Sequence, residues 1–200
     1  TLNPISATAE NDKINSIRDI ISEVSPLLRE ESKIFEFKAS LRTPYPEITP
    51  TVNSEGRQIF SLGRKEFKSE KEVQNFLQDI VLKTVSSSMN TLGGELIIGV
   101  HEHHNKKEFV GIDREGFKSH DEFERHLNQI LINEFSEIIV SQYISTSIKI
   151  EGALAYCSVK CLMKTDMPVF FRDKVYVRSG PMISELSNRE VAKMVADRIR

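Results

Sequence analysis

In the stretch Glu31-Ser-Lys-Ile-Phe-Glu-Phe-Lys38, two carboxylates stand five positions apart, at Glu31 and Glu36, and Lys38 follows the second by two residues. Paired acids can hold a divalent ion and an adjacent ammonium can neutralise a phosphate, so this pattern fits metal-assisted or phosphate-directed chemistry. Phe35 and Phe37 alternate with Glu36 and Lys38, which predicts a short half-buried strand with both rings on one face. Positions 31 and 36 are an odd number apart, so on a straight strand they point to opposite faces. For the two to meet at one site, the chain must bend at about Ser32-Lys33. The competing reading is a solvated strand face carrying ordinary surface acids.

A second group of residues could grip phosphate. The segment 39–68 is rich in proline and turn residues, predicts a loop with a small hairpin, and carries Arg42, Arg64 and Lys65. Arg178 lies in Tyr-Val-Arg-Ser-Gly, where a guanidinium can bind phosphate bidentately and a glycine lets the backbone come close. Arg172 and Lys174 flank a turn nearby. With Lys38 these are the candidate nucleic-acid contacts; for each the alternative is a surface ion pair. A zinc site built from His101, His103 and His126 is a weaker idea, because the histidines of His-Glu-His-His read first as a solvated turn.

The elements that must position these residues are legible from periodicity. Ser69 with Glu72, Ser119 with Glu122 and Ser187 with Glu190 each form a capping box ahead of an apolar stripe at helical spacing, and all three stripes are expected to face a core. The first of these helices should end at about Asn90, before Gly93-Gly94 and the apolar run Glu-Leu-Ile-Ile-Gly-Val, a central strand covered on both faces. That run and Glu-Phe-Val-Gly-Ile-Asp predict a hairpin across His-Glu-His-His-Asn-Lys-Lys; strands are also expected over 139–150, 154–162, 168–171 and 174–180. The fold class is α+β, a mixed, largely antiparallel sheet with helices packed on it. Ile14, Ile17, Ile21, Val24 and Leu28 form a short coiled-coil-like seam, so residues 1–30 read as a lead-in and connector helix and 31–200 as the domain. Cys157 and Cys161 are four strand residues apart, roughly 13 Å, too far to bridge, and read as core thiols of a reduced protein. A net charge of −2 gives no bulk electrostatic support to nucleic-acid binding, which must rest on local patches. No apolar run suggests a membrane span or a signal peptide, so a cytoplasmic setting is expected.

Taken in order, the Glu-Phe-Lys strand, the Asn-Thr-Leu-Gly-Gly junction, Val-Gly-Ile-Asp and the Tyr-Val-Arg-Ser-Gly strand with a Ser-led helix behind it resemble the Schlafen/AlbA-type domain. The resemblance spans roughly 31–200. It implies nucleic-acid engagement and, in the nuclease branch, RNA cleavage by three carboxylates that hold Mg²⁺ or Mn²⁺. Here those positions fall on Glu31, Glu36 and Glu102, with Lys38 beside the phosphate. Glu102 departs from the aspartate usual in that branch, and the insertion at 39–68 departs from the shorter relatives. Three functions follow as expectations. The first is a nucleic-acid-binding module of a larger cytosolic protein, gripping the phosphate backbone of RNA or DNA. The second is a metal-dependent endonuclease on RNA or single-stranded DNA. The third is an interaction domain that pairs with neighbouring domains or with a second copy.

Overall fold

The computed structural model describes residues 25–199 apart from Asn105; the seam positions from Ile14 to Val24 lie outside the described residues. Pro26–Leu28 form a single 3-10 turn, started by proline at a position where its missing N–H costs nothing. The main sheet has the order β1 (Phe35–Lys38), β5 (Gly94–Ile98), β9 (Leu154–Cys161), β8 (Ile144–Glu151). β1 runs parallel to β5 and the other pairs are antiparallel, which matches the mixed, largely antiparallel α+β expectation.

β5 is the central strand that its unbroken apolar run requires. Leu96 and Ile98 enter the main core with Val81, Val85 and Met89 of helix α1 (Glu70–Asn90) and with Phe123, Leu127 and Leu131 of helix α2 (His120–Phe135). Ile97 turns to the opposite face and packs with Phe35, Phe37, Val100 and Tyr156 in a smaller cluster. Strand β1 is therefore covered on both sides rather than half-buried: Phe35, Glu36 and Phe37 are all buried. Cys157 and Cys161 are free and buried, and burial pushes the Cys157 thiol up to about 12, which leaves it inert near neutral pH.

Both helix N-termini are made by the predicted capping boxes, with Ser69 Oγ accepting from Glu72 N–H and Ser119 Oγ from Glu122 N–H. Ser187 Oγ likewise accepts from Glu190 N–H ahead of the last helix, Asn188–Ile199. That helix corrects one expectation, since it buries no residue and Ile199 of its stripe is exposed. A second correction lies at 137–143. The residues Ile139 and Val140, expected in a strand, belong to a short helix, Glu137–Tyr143, and β8 begins only at Ile144. Ser136, with φ of 77°, breaks the chain between two helices, and the 139, 140, 143, 144 spacing is helical.

The segment 39–68 folds more fully than a single hairpin, into the antiparallel order β2 (Thr51–Val52), β3 (Gln58–Leu62), β4 (Lys65–Phe67). The histidine stretch is a hairpin of β6 (Val100–His103) and β7 (Lys106–Phe109), so five residues expected in the turn, His101, Glu102, His103, Lys106 and Lys107, are in fact strand. A third small sheet joins β10 (Phe170–Phe171), β11 (Lys174–Ser179) and β12 (Met182–Glu185), and β11 packs along α1. Among the described residues no helix is long and apolar enough to cross a membrane.

Candidate functional site

The edge of β1 is where the opening acids lie. The parallel pairing turns the backbone groups of Phe35 and Phe37 outward, away from β5. An open edge of this kind invites strand addition, and here three of the outward groups are taken. Ser32 N–H donates to Phe35 O (2.9 Å), Phe37 N–H donates to Glu31 Oε1 (3.2 Å), and Lys38 Nζ donates to Phe37 O (2.9 Å). The chain bends at Lys33-Ile34, close to the expected point, and this bend folds Glu31 back alongside Phe37.

Glu36 points to the other side of the strand, into the space between β1 and β11. Its Oε2 accepts from Arg178 Nη2 at 2.5 Å, and its Oε1 is paired with Lys38. The Arg178 side chain is only 1% exposed, and its Nη2 also donates to Ser32 O (2.7 Å). Arg178 is placed by its backbone: its N–H donates to Thr91 Oγ1 (2.8 Å), the threonine of the Asn-Thr-Leu-Gly-Gly junction. Gly94 completes that junction, because a Cβ there would lie 2.7 Å from Ile34 O. Only glycine lets β5 start beside the turn that carries Glu31 and Glu36.

Glu102 approaches from the β6–β7 hairpin. Its register partner Lys107 lies 3.9 Å from Oε1 and donates more closely to Glu30 (3.0 Å). Glu102 Oε2 is buried without a hydrogen-bond partner among the described residues. Glu31 feels the other two acids. Partial burial pushes the Glu31 carboxyl above its ordinary value, the charge of Glu36 adds to this and Glu102 adds a little more; the Phe37 N–H and Lys38 act against it.

Whether these acids fit a divalent ion turns on Glu36. Both of its oxygens are committed to cations, and among the described residues no three His, Cys, Asp or Glu side chains are grouped to hold a metal. As arranged, the residues do not fit Mg²⁺ or Mn²⁺. The histidine idea fails on geometry: His101 and His103 stack at 6.0 Å, whereas His126 contacts Gln78 and Phe117 on the helical layer.

A charged Glu31 is costly here, and this has a measurable sign. A carboxyl whose folded value is raised contributes stability below its unfolded value and loses it as pH rises through the folded one. Glu31→Gln keeps the acceptor for Phe37 N–H and removes the charge. The variant is expected to melt above wild type at neutral pH, with the margin closing as pH falls toward the ordinary value of 4.5. Paired thermal melts across that range test it; a variant less stable at every pH would show the charge to be favourable.

The expected phosphate contacts separate into two kinds. Arg178 and Lys38 are spent on Glu36, which corrects the reading of Arg178 as an open phosphate contact. Arg172 pairs with Asp79 (2.6 Å) and Lys174 with Glu185 (3.0 Å). Arg42 is held as a structural clamp, with Nε donating to Glu115 O (2.7 Å), Nη2 to Gly116 O (3.0 Å), and the guanidinium 3.9 Å over the Phe117 ring. Arg64 and Lys65 remain exposed on the β3–β4 hairpin, Lys65 resting 4.1 Å over Phe76.

Sequence reasoning missed Glu115, a buried acid that accepts from the N–H groups of Leu41 (2.7 Å), Arg42 (2.9 Å) and Thr43 (2.8 Å). No local pattern marks it, because its partners are more than 70 positions away. It also missed the buried pair of Arg29 with Glu95 (2.7 Å), to which Ser158 Oγ donates (2.5 Å).

The sequence profile of the family described as Schlafen, AlbA_2 matches residues 62–187, well over half of the chain. The chain belongs to the Schlafen AlbA_2 family. That membership gives the domain a nucleic-acid-related character. No curated protein matches the sequence significantly. Among solved structures, the DIP2311 protein from Corynebacterium diphtheriae superposes with a TM-score of 0.53 at 14% identity, over 96% of this chain and 34% of that one. At that identity the likeness concerns the fold, and this Schlafen AlbA_2 chain spans about a third of that protein's length.

Proposed function

We propose that the domain binds nucleic acid through its phosphate backbone and does so without cutting it. The observation that carries this reading is the exposed group Arg64, Lys65, Lys68 and Lys71, running from the β3–β4 hairpin into the first turn of α1. Among the described residues no acid pairs with Arg64, and Lys65 lies beside the tilted rings of Phe67 and Phe76 (5.2 Å). Cations next to aromatic rings suit a sequence-tolerant grip on a strand. The commitment of both Glu36 oxygens to Lys38 and Arg178 speaks against cleavage. One observation favours the nuclease reading as a second: the repulsion of Glu31 by Glu36 and Glu102, with Glu102 Oε2 unpartnered among the described residues, would be relieved by a cation.

Fluorescence anisotropy with labelled single-stranded RNA and DNA decides between them. Wild type is expected to bind at low salt, and Arg64→Glu/Lys65→Glu to bind about tenfold more weakly with a salt slope smaller by about two. Binding equal to wild type in that variant removes the hairpin from the interface. Absence of binding to either strand at low salt overturns the reading and leaves the interaction domain. Strand scission in Mn²⁺ that EDTA and Glu36→Gln both abolish would install the second reading.

A further inference from the structure

Beside α1, the surface opens into a cleft of about 480 Å³ between the start of α2 and the segment that follows β1. Arg42, Phe117, Lys118, Arg125 and His126 line it together with Glu122. Its features are those of an anion site. Arg42 is preorganised: Nε and Nη2 are bound to backbone carbonyls and the plane is seated on Phe117, while Nη1 has no partner among the described residues. Holding a guanidinium in advance removes most of the ordering cost of using it. Lys118 and Arg125 are exposed on the rim. Glu122 is the acid in the lining, and its Oε2 accepts from Lys118 N–H at 2.6 Å as part of the α2 capping box.

From these residues we infer that the cleft is a phosphate subsite, taking a phosphodiester of a bound nucleic-acid strand. It rests on the nucleic-acid reading above and gives that strand a path, from Lys68 and Lys71 at the start of α1 to Arg42 and across to Arg125. His126 reports on the same space. Burial lowers its proton affinity first, and the facing charges of Arg42 and Lys71 lower it further, so the imidazole already sits in a positive field. Gln78 of α1 contacts its Nε2 (3.1 Å), Phe117 packs on its ring, and Lys118, Glu122 and Arg125 are the remaining charges of the cleft. A phosphate bound there cancels part of that field and makes the imidazolium easier to form. By linkage, binding tightens as pH falls through the His126 midpoint.

The test follows His126 by proton NMR over a pH titration, with and without inorganic phosphate, and follows oligonucleotide binding by anisotropy. The His126 midpoint is expected to move upward with phosphate in wild type and to stay in place in Lys118→Glu/Arg125→Glu. The same variant should bind a single strand about tenfold more weakly, with a salt slope smaller by about two, while Lys193→Glu on the last helix binds as wild type. An unmoved His126 midpoint together with wild-type strand affinity in the variant overturns the subsite and leaves the nucleic-acid reading standing. A midpoint that moves with phosphate when no strand binds keeps the subsite, for free phosphate, and overturns that reading instead.

Discussion

Replacing Glu36 by alanine is expected to lower the free energy of unfolding by about 3–5 kcal/mol, a large fraction of what a domain of this size has. The carboxylate is buried against a guanidinium that is itself almost fully enclosed, and the alanine variant leaves Arg178 charged with only carbonyl oxygens beside its Nη2. Removing one member of a buried pair costs more than the pair contributes, because the other charge is stranded. The double variant Glu36→Leu/Arg178→Met should therefore recover much of the loss. Urea denaturation of the two variants beside wild type checks it, and a Glu36→Ala midpoint equal to that of wild type would refute the structural role. Cleavage assays inherit the consequence: inactivity of Glu36→Ala can report unfolding. Glu36→Gln, which still accepts from Arg178, is the informative variant.

The sequence made the strand at 35–38, the helix ending at Asn90 and the three capping boxes legible, because each is written in local spacing. The bend that returns Glu31 to Phe37 was legible as a condition, since an odd spacing on one straight strand points the two acids to opposite faces and only a bend lets them meet. What stayed hidden is the pairing of charges across the fold. Arg178 meets Glu36 across 142 positions, and Arg172 meets Asp79 across 93. The residue types were as suitable for phosphate as for a carboxylate, and only the packing of β11 along α1 chooses between them. The short helix at 137–143 was hidden for a different reason. Ile138, Ile139 and Val140 have strand propensity, and the break that overrides it is a backbone angle at Ser136. Lys118, just ahead of α2, and Arg125 within it carry no local mark of a site in the sequence; they share one cleft with the anchored Arg42 only in the fold.

The junction at the end of α1 carries the second large effect. Asn90 is 3% exposed, its Nδ2 donates to Val169 O (2.7 Å) and Tyr176 O (3.0 Å), and its Oδ1 accepts from Val169 N–H (2.7 Å). One amide thereby ties the helix terminus to the approach to β10 and to the middle of β11, the strand that delivers Arg178 to Glu36. Asn90→Ala removes three buried hydrogen bonds and leaves Val169 N–H without its acceptor, although Val169 O keeps Ser86 Oγ (3.0 Å), and is expected to cost about 3 kcal/mol. Asn90→Asp should cost more, on the order of 4 kcal/mol at neutral pH, although it changes no volume: the new carboxylate faces two carbonyl oxygens with nothing to donate. That cost carries a pH signature. The introduced carboxyl, once protonated, can donate to one carbonyl, so its folded value lies above its unfolded one and the deficit shrinks as pH falls through the folded value. Denaturation of both variants at neutral and acidic pH measures this. If the aspartate variant is the more stable of the two at neutral pH, Asn90 is not acting as a donor. The junction would then hold β11 in place by glycine and threonine alone.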